Sequence, residues 1–151
     1  DLDLSHLSGH FAAWNYFQSL SNATNTQFVN RWRAYAKRQQ LPGSDKALTN
    51  DPMEATYLGL HLWKQAVEKA KTIQVDAVIA AMGGQSMAAP SGFMTRMDDS
   101  NHHLEKLVFI GQVQTDGQFK VVWKSPGPVR AKPWSPFIEG NTNKPDHPTK
   151  P

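Results

Sequence analysis

Apolar residues recur along this chain at two different periods, and the periods divide it. Phe28, Trp32, Tyr35 and Ala36 stand at i, i+4, i+7 and i+8, one face of an amphipathic helix. Arg31, Arg33, Lys37 and Arg38 take the remaining surface. The polar run from Ser21 to Thr26 supplies capping residues before this helix, and Leu41-Pro42-Gly43-Ser44 ends it. A second helix is predicted to open at Asp51-Pro52-Met53-Glu54. There Asp51 caps, Pro52 takes the first helical position, and Glu54 reaches back to the cap N–H. Met53, Tyr57, Leu60, Trp63 or Val67, and Ala70 carry it forward at helical spacing. Val78, Ile79 and Met82 mark a third, shorter helix stopped by Gly83-Gly84.

The other period is two. Residues 8–18 are rich in aromatics and predict a strand or extended segment with Trp14 and Tyr16 on one face. After Gly84 the texture turns to β. Phe93–Met97 is a strand candidate and Leu107–Val113 a clear strand. Thr115-Asp116-Gly117 signals a hairpin turn, since glycine accepts the positive φ such turns need. Phe119, Val121 and Trp123 alternate on the returning strand. Eight of the ten prolines lie at or after Pro90, so this end is predicted to be extended and Asn141–Pro151 a mobile tail. No internal repeat is visible.

Composition narrows the classes. The chain has 151 residues, 39% of them hydrophobic and 10% aromatic, enough for one packed domain and not the composition of a disordered chain. The formal charge of +3 is small and spread along the sequence, so no nucleic-acid partner is expected. Without cysteine there is no disulfide, thiolate chemistry or cysteine-held zinc. No apolar run approaches the roughly 20 residues that span a bilayer. No signal peptide is visible, and the opening Asp1-Leu2 without an initiator Met leads us to expect a processed or cut start.

Candidate chemistry is sparse. His102 and His103 are adjacent, so in an extended loop their side chains point apart, and no HExxH spacing accompanies them. Asp98, Asp99 and Asn101 lie close by but lack the calcium-loop pattern. A surface turn is the expectation here, with no metal site. Asp51 and Glu54 are expected to cap a helix rather than form an acid–base pair. Neither G-x-S-x-G nor a phosphate loop is present. The basic face beside Trp32 and Tyr35 is read as a solvated surface over a buried aromatic stripe rather than an RNA-binding face. Trp14 and Tyr16 could line a small-ligand pocket or pack in a core, and the residues alone leave both open. The residues therefore imply an α and β protein with no catalytic residues and no cofactor.

Longer ordered stretches add a resemblance. Gly9-His10-Phe11-Ala12-Ala13-Trp14-Asn15-Tyr16-Phe17-Gln18-Ser19 is similar to a segment of the urea and short-chain amide substrate-binding proteins of ABC importers. So are Asn50-Asp51-Pro52-Met53-Glu54-Ala55 with Tyr57, and Leu62 to Ala70. Ala89-Pro90-Ser91-Gly92, Asn101-His102-His103-Leu104 and Ile110-Gly111-Gln112-Val113 follow in the family's order. Asp116 to Phe119, Val122 to Pro128 and Pro133 to Pro136 complete the series, which spans about residues 5–138.

The resemblance implies an α/β fold: the C-terminal portion of a two-lobed type I periplasmic binding protein. About three helices, a strand and a C-terminal β-hairpin are expected. Residues 1–138 would contribute to the lobes and the crossover between them, and residues 139–151 would form a flexible polar tail. The implied protein is not an enzyme. It captures urea or a short-chain amide in a cleft and delivers it to ABC permease membrane subunits, in the periplasm or lipid-anchored at the cell surface. The alternative is an amide-sensing regulatory protein without a transport role. Trp14, Tyr16, Glu54 and Tyr57 are the ligand-binding candidates. The remainder of a longer chain is an expected partner.

Overall fold

A computed structural model describes residues 6–146. Strand β1 (Phe11–Trp14) opens the chain, followed by helices α1 (Ala23–Arg38), α2 (Asp51–Ala70) and α3 (Val75–Met82). Five short strands complete it: β2 (Ser86–Ala88), β3 (Met94–Met97), β4 (Leu104–Glu105), β5 (Phe109–Val113) and β6 (Phe119–Lys124). Of the expected tail, residues 147–151 lie outside the described residues.

The helices form where expected, but their buried faces are rotated. On α1 the inward residues are Asn25, Val29 and Ala36, while Tyr35 stays 45% exposed. Ala36 belongs to the expected stripe, and Phe28 and Trp32 of that stripe are half-buried, Phe28 packing on Tyr16 and Tyr57. On α2 the correction is larger. Its cap is Asn50, whose side-chain oxygen accepts from Met53 N at 3.0 Å. Asp51 is already helical, and no capping box forms. Glu54 instead begins a buried stripe at steps of four, Glu54, Leu58, Leu62 and Ala66. The expected stripe members Leu60 and Trp63 face outward, 64% and 47% exposed. Ala66 packs with Val78 and Ala81 of α3, and Val67, Ala70 and Met82 border the cluster.

The strands form two three-stranded antiparallel sheets. The first has the order β1-β5-β6, with Phe11 opposite Gln112 and Trp14 opposite Phe109. The β5–β6 hairpin closes through Gln114 to Gln118, with Gly117 at φ 78°. Ile110 faces Trp123 and Gly111 faces Val121, so Val122 is an extra residue on β6, a β-bulge. Gly111 lies beneath an aromatic ring: a Cβ there would stand 2.7 Å from Phe17 Cζ. The missing side chain is what allows Phe17 to lie over β5 and stack on Phe119 with centroids 4.6 Å apart. The second sheet, β2-β3-β4, contains the expected strand at Met94–Met97 together with two shorter partners.

Candidate functional site

At the end of β1 the chain changes environment within two residues. Trp14 is 44% exposed, and Tyr16, beyond the strand, is wholly buried. Both border a cavity of about 240 Å³ between the strand's end, the β5–β6 turn and the residues that precede α2. Ala12, Phe17, Leu48 and Phe119 make its apolar walls, and Gln18, Thr49, Asn50 and Gln118 its polar ones.

The polar wall is an ordered network. Asn25 Nδ2 donates to the carbonyls of Gln18 and Leu20, at 2.9 and 2.6 Å, which fixes Asn25 Oδ1 as an acceptor. Tyr16 Oη donates to that oxygen at 2.8 Å and lies 2.7 Å from Thr49 Oγ1. With the tyrosine hydrogen committed, the Thr49 hydroxyl hydrogen serves either Tyr16 or Gln18 Oε1, which is 3.1 Å away. Thr49 N also donates to Gln18 Oε1, at 2.7 Å. Gln18 Nε2 has no acceptor among the described residues. Burial pushes the Tyr16 phenol up to about 12; the Thr49 hydrogen bond opposes this and the nearby Glu54 charge adds to it.

The other two sequence candidates do not line this cavity. Glu54 is fully buried. Its Oε1 accepts from Ser91 N at 2.8 Å and Ser91 Oγ at 2.5 Å, and its Oε2 from Lys106 Nζ at 2.7 Å. It binds α2 to the loop before β3 and to the link between β4 and β5. Tyr57 sits between Phe28 and His61, with ring centroids at 5.0 and 4.4 Å. It borders a separate hollow of about 350 Å³ with Trp32, Met53 and Thr56. So Trp14 and Tyr16 both line the cavity, while Glu54 and Tyr57 do not, although Glu54 lies near enough to raise the Tyr16 phenol and Tyr57 packs on Phe28, whose ring meets Tyr16. Sequence reasoning missed Gln18, Thr49 and Asn50. Two of them fall in stretches quoted for the family resemblance, which is the one signal that could have drawn attention to them.

His102 and His103 belong to a tight turn. Asp98 Oδ1 accepts from Ser100 N, Ser100 Oγ and Asn101 N at 2.8, 2.6 and 3.2 Å, and His102 adopts φ 55°. Arg130 Nε donates to Asp98 Oδ2 at 2.5 Å. That bond, followed by those from Ser100, holds the Asp98 carboxyl well below the usual carboxylate range. Among the described residues no group of three or more His, Cys, Asp or Glu could hold a metal ion.

Comparison with known proteins places this geometry in context. A family model described as a periplasmic binding protein domain matches residues 1–140. A limonene hydroxylase of Geobacillus stearothermophilus is 34% identical over 128 residues, 85% of this chain and 22% of that one. A solute binding protein of an ABC transporter from Rhodopseudomonas palustris BisB5, solved with 3,4-dihydroxybenzoic acid, is 24% identical with a TM-score of 0.67. The match covers 84% of this chain and 35% of that one. A leucine-, isoleucine-, valine-, threonine- and alanine-binding protein from Brucella ovis, in a closed conformation, is 16% identical with a TM-score of 0.63. It covers 82% and 32%. The chain thus spans about a fifth of the curated relative's length and about a third of these solved chains.

Proposed function

Given that the chain belongs to the periplasmic binding protein domain family and that its fold is part of the type I periplasmic binding fold, we infer that it serves the substrate-binding component of an ABC importer. In this reading it holds a small planar solute beside Trp14 and Tyr16 and catalyses nothing. The observation that carries it is the cavity at the end of β1, where an aromatic wall faces an ordered polar one. Such a site replaces a solute's water hydrogen bonds with fixed partners while its apolar walls exclude solvent.

The solute is read as urea or a short-chain amide. The stretches around Trp14 and Asn50 support this through their likeness to proteins of that specificity. The unpaired Gln18 Nε2 supports it chemically, as a donor suited to a carbonyl oxygen. Delivery to a membrane permease, and a periplasmic or lipid-anchored location, belong to the same reading. Among the described residues no helix is long and apolar enough to cross a membrane. Residues 1–138 would carry the binding role and 139–151 a polar tail.

One observation favours a second solute class. A cavity of about 240 Å³ is larger than urea needs, because a water's share of liquid volume is about 30 Å³ and benzene is held by a cavity of about 150 Å³. A benzoate ring with its carboxylate suits that space, with Trp14 and Phe119 against the ring and Gln18 Nε2 toward an oxygen. The Rhodopseudomonas palustris protein above was solved with an acid of this kind.

Titration calorimetry with urea, acetamide, 4-hydroxybenzoate and leucine decides between these. Binding of one of them, weakened at least tenfold by Trp14→Ala, is the expected result. Heat from none of the four would refute the cavity as a solute site.

A further inference from the structure

The cavity at the end of β1 sets a row of near-parallel rings against a group of side-chain amides. Trp14 stacks on Phe17 with centroids 6.5 Å and planes 21° apart, and Phe17 on Phe119 at 4.6 Å and 29°. All of these rings line the cavity. Such a row offers an apolar face on which a flat ring can lie. A cavity that holds benzene measures roughly 150 Å³. The extra volume here leaves room for one small polar substituent on the ring.

Gln18, Asn50 and Gln118 stand on the polar side, and their hydrogen-bonding capacity is divided. Gln18 Oε1 accepts from Thr49 N and Asn50 Oδ1 from Met53 N, so both oxygens are committed to backbone donors. Gln18 Nε2 and Asn50 Nδ2 are left as donors without acceptors among the described residues. The Gln118 backbone N–H bonds Asp116, while its side chain has no partner among the described residues. Its oxygen therefore supplies an acceptor beside the two donors.

A primary carboxamide matches this division, because it presents a carbonyl oxygen with two lone pairs beside an N–H. A carboxylate could take both donors but has no hydrogen for Gln118 Oε1. Tyr16, the one ionisable lining residue among those described, keeps its proton through burial, so the wall meets a carboxylate with dipoles and no cation. We propose that the solute held here is an aromatic carboxamide, its ring on the row of Trp14, Phe17 and Phe119 and its amide against Gln18, Asn50 and Gln118. The proposal rests on the reading of this cavity as the solute site and narrows it. Benzoate shares only the ring with such a solute, and acetamide only the amide.

Titration calorimetry of the whole chain with benzamide, benzoate and acetamide separates the two halves. Benzamide is expected to bind at least about tenfold more tightly than either, since a site that hydrogen-bonds an N–H rejects the analogue lacking it. Benzoate binding as tightly as benzamide would overturn the amide half, and acetamide binding as tightly would overturn the ring half. Either result sinks the proposal and leaves the cavity a solute site. Heat from none of the three would remove the cavity reading and the proposal with it. Gln18→Glu keeps an oxygen for Thr49 N but replaces the Nε2 donor with a charge, and is expected to weaken benzamide at least about tenfold. Gln118→Lys alters a side chain on which the fold makes no bond, and is expected to turn the preference toward benzoate. A benzoate-to-benzamide ratio unchanged in the lysine variant would overturn the proposal.

Discussion

Glu54 and Lys106 are 52 residues apart in sequence and 2.7 Å apart in space, with the carboxylate wholly withdrawn from water. Removing one partner strands the other as an uncompensated buried charge, at about 3–5 kcal/mol. Lys106→Met and Glu54→Leu are each expected to lower the urea-unfolding free energy by that order. The double variant is expected to lose clearly less than the sum. A strictly additive result would show that the pair does not act as a unit.

Tyr16→Phe removes the donor that satisfies Asn25 Oδ1 inside the protein. A cost of about 1–3 kcal/mol in denaturant unfolding is expected. Asn25→Ala should cost more, because it also frees the carbonyls of Gln18 and Leu20.

The same tyrosine sets a pH dependence. Its folded-state pKa near 12 exceeds the ordinary phenol value of 10.0. The folded state therefore keeps a proton that the unfolded chain releases. The stabilisation is fully present below the unfolded value and is lost as pH rises through the folded one. Stability should fall across this alkaline window in the native chain, and Tyr16→Phe should flatten that fall. An unchanged alkaline slope in the variant would remove Tyr16 as its source.

Asp98 titrates in the opposite sense. Arg130 depresses its carboxyl, so the contribution is present above the ordinary carboxylate range and fades as pH drops through the folded value. Arg130 also bonds Asp146 at 2.5 Å, and Asn101 Nδ2 donates to Ala131 O at 3.1 Å. Asp98→Asn is expected to loosen residues 126–146 and speed tryptic cleavage after Arg130. Unchanged cleavage rates would exclude Asp98 as the anchor.

Gly111→Ala drives a methyl into the Phe17 ring, and overpacking of this kind costs about 1–3 kcal/mol. Because Phe17 and Phe119 both wall the cavity, calorimetry should register weaker solute binding along with the lower stability.

The parts legible in the sequence are those with local causes. The β5–β6 turn follows from Asp116-Gly117, and α3 from the run that Gly83-Gly84 ends. The existence of α2 was legible but its inward face was not, because a glutamate opens the buried stripe and hydrophobic spacing cannot register a charged residue whose partner arrives from residue 106. The pairing of β1 with β5 joins segments about a hundred residues apart, and no local pattern encodes it. Strands β2 and β4 are three and two residues long, too short to alternate visibly. At the cavity, Trp14 and Tyr16 could be singled out as aromatics at a strand's end. Gln18 and Thr49 look like ordinary loop residues until the Asn25 network orders them.

The unmatched Val122 has a consequence for chains meeting in solution. Among the described residues strand β6 lies at an edge of its sheet and shows Trp123 half exposed, a combination that ordinarily invites a second copy to add its own strand and start fibre growth. The additional residue breaks the even spacing of amides and carbonyls and sharpens the local twist, so an incoming strand finds no regular template. A deletion of Val122 that evened out the margin would be expected to leave the fold recognisable and the concentrated protein prone to aggregate.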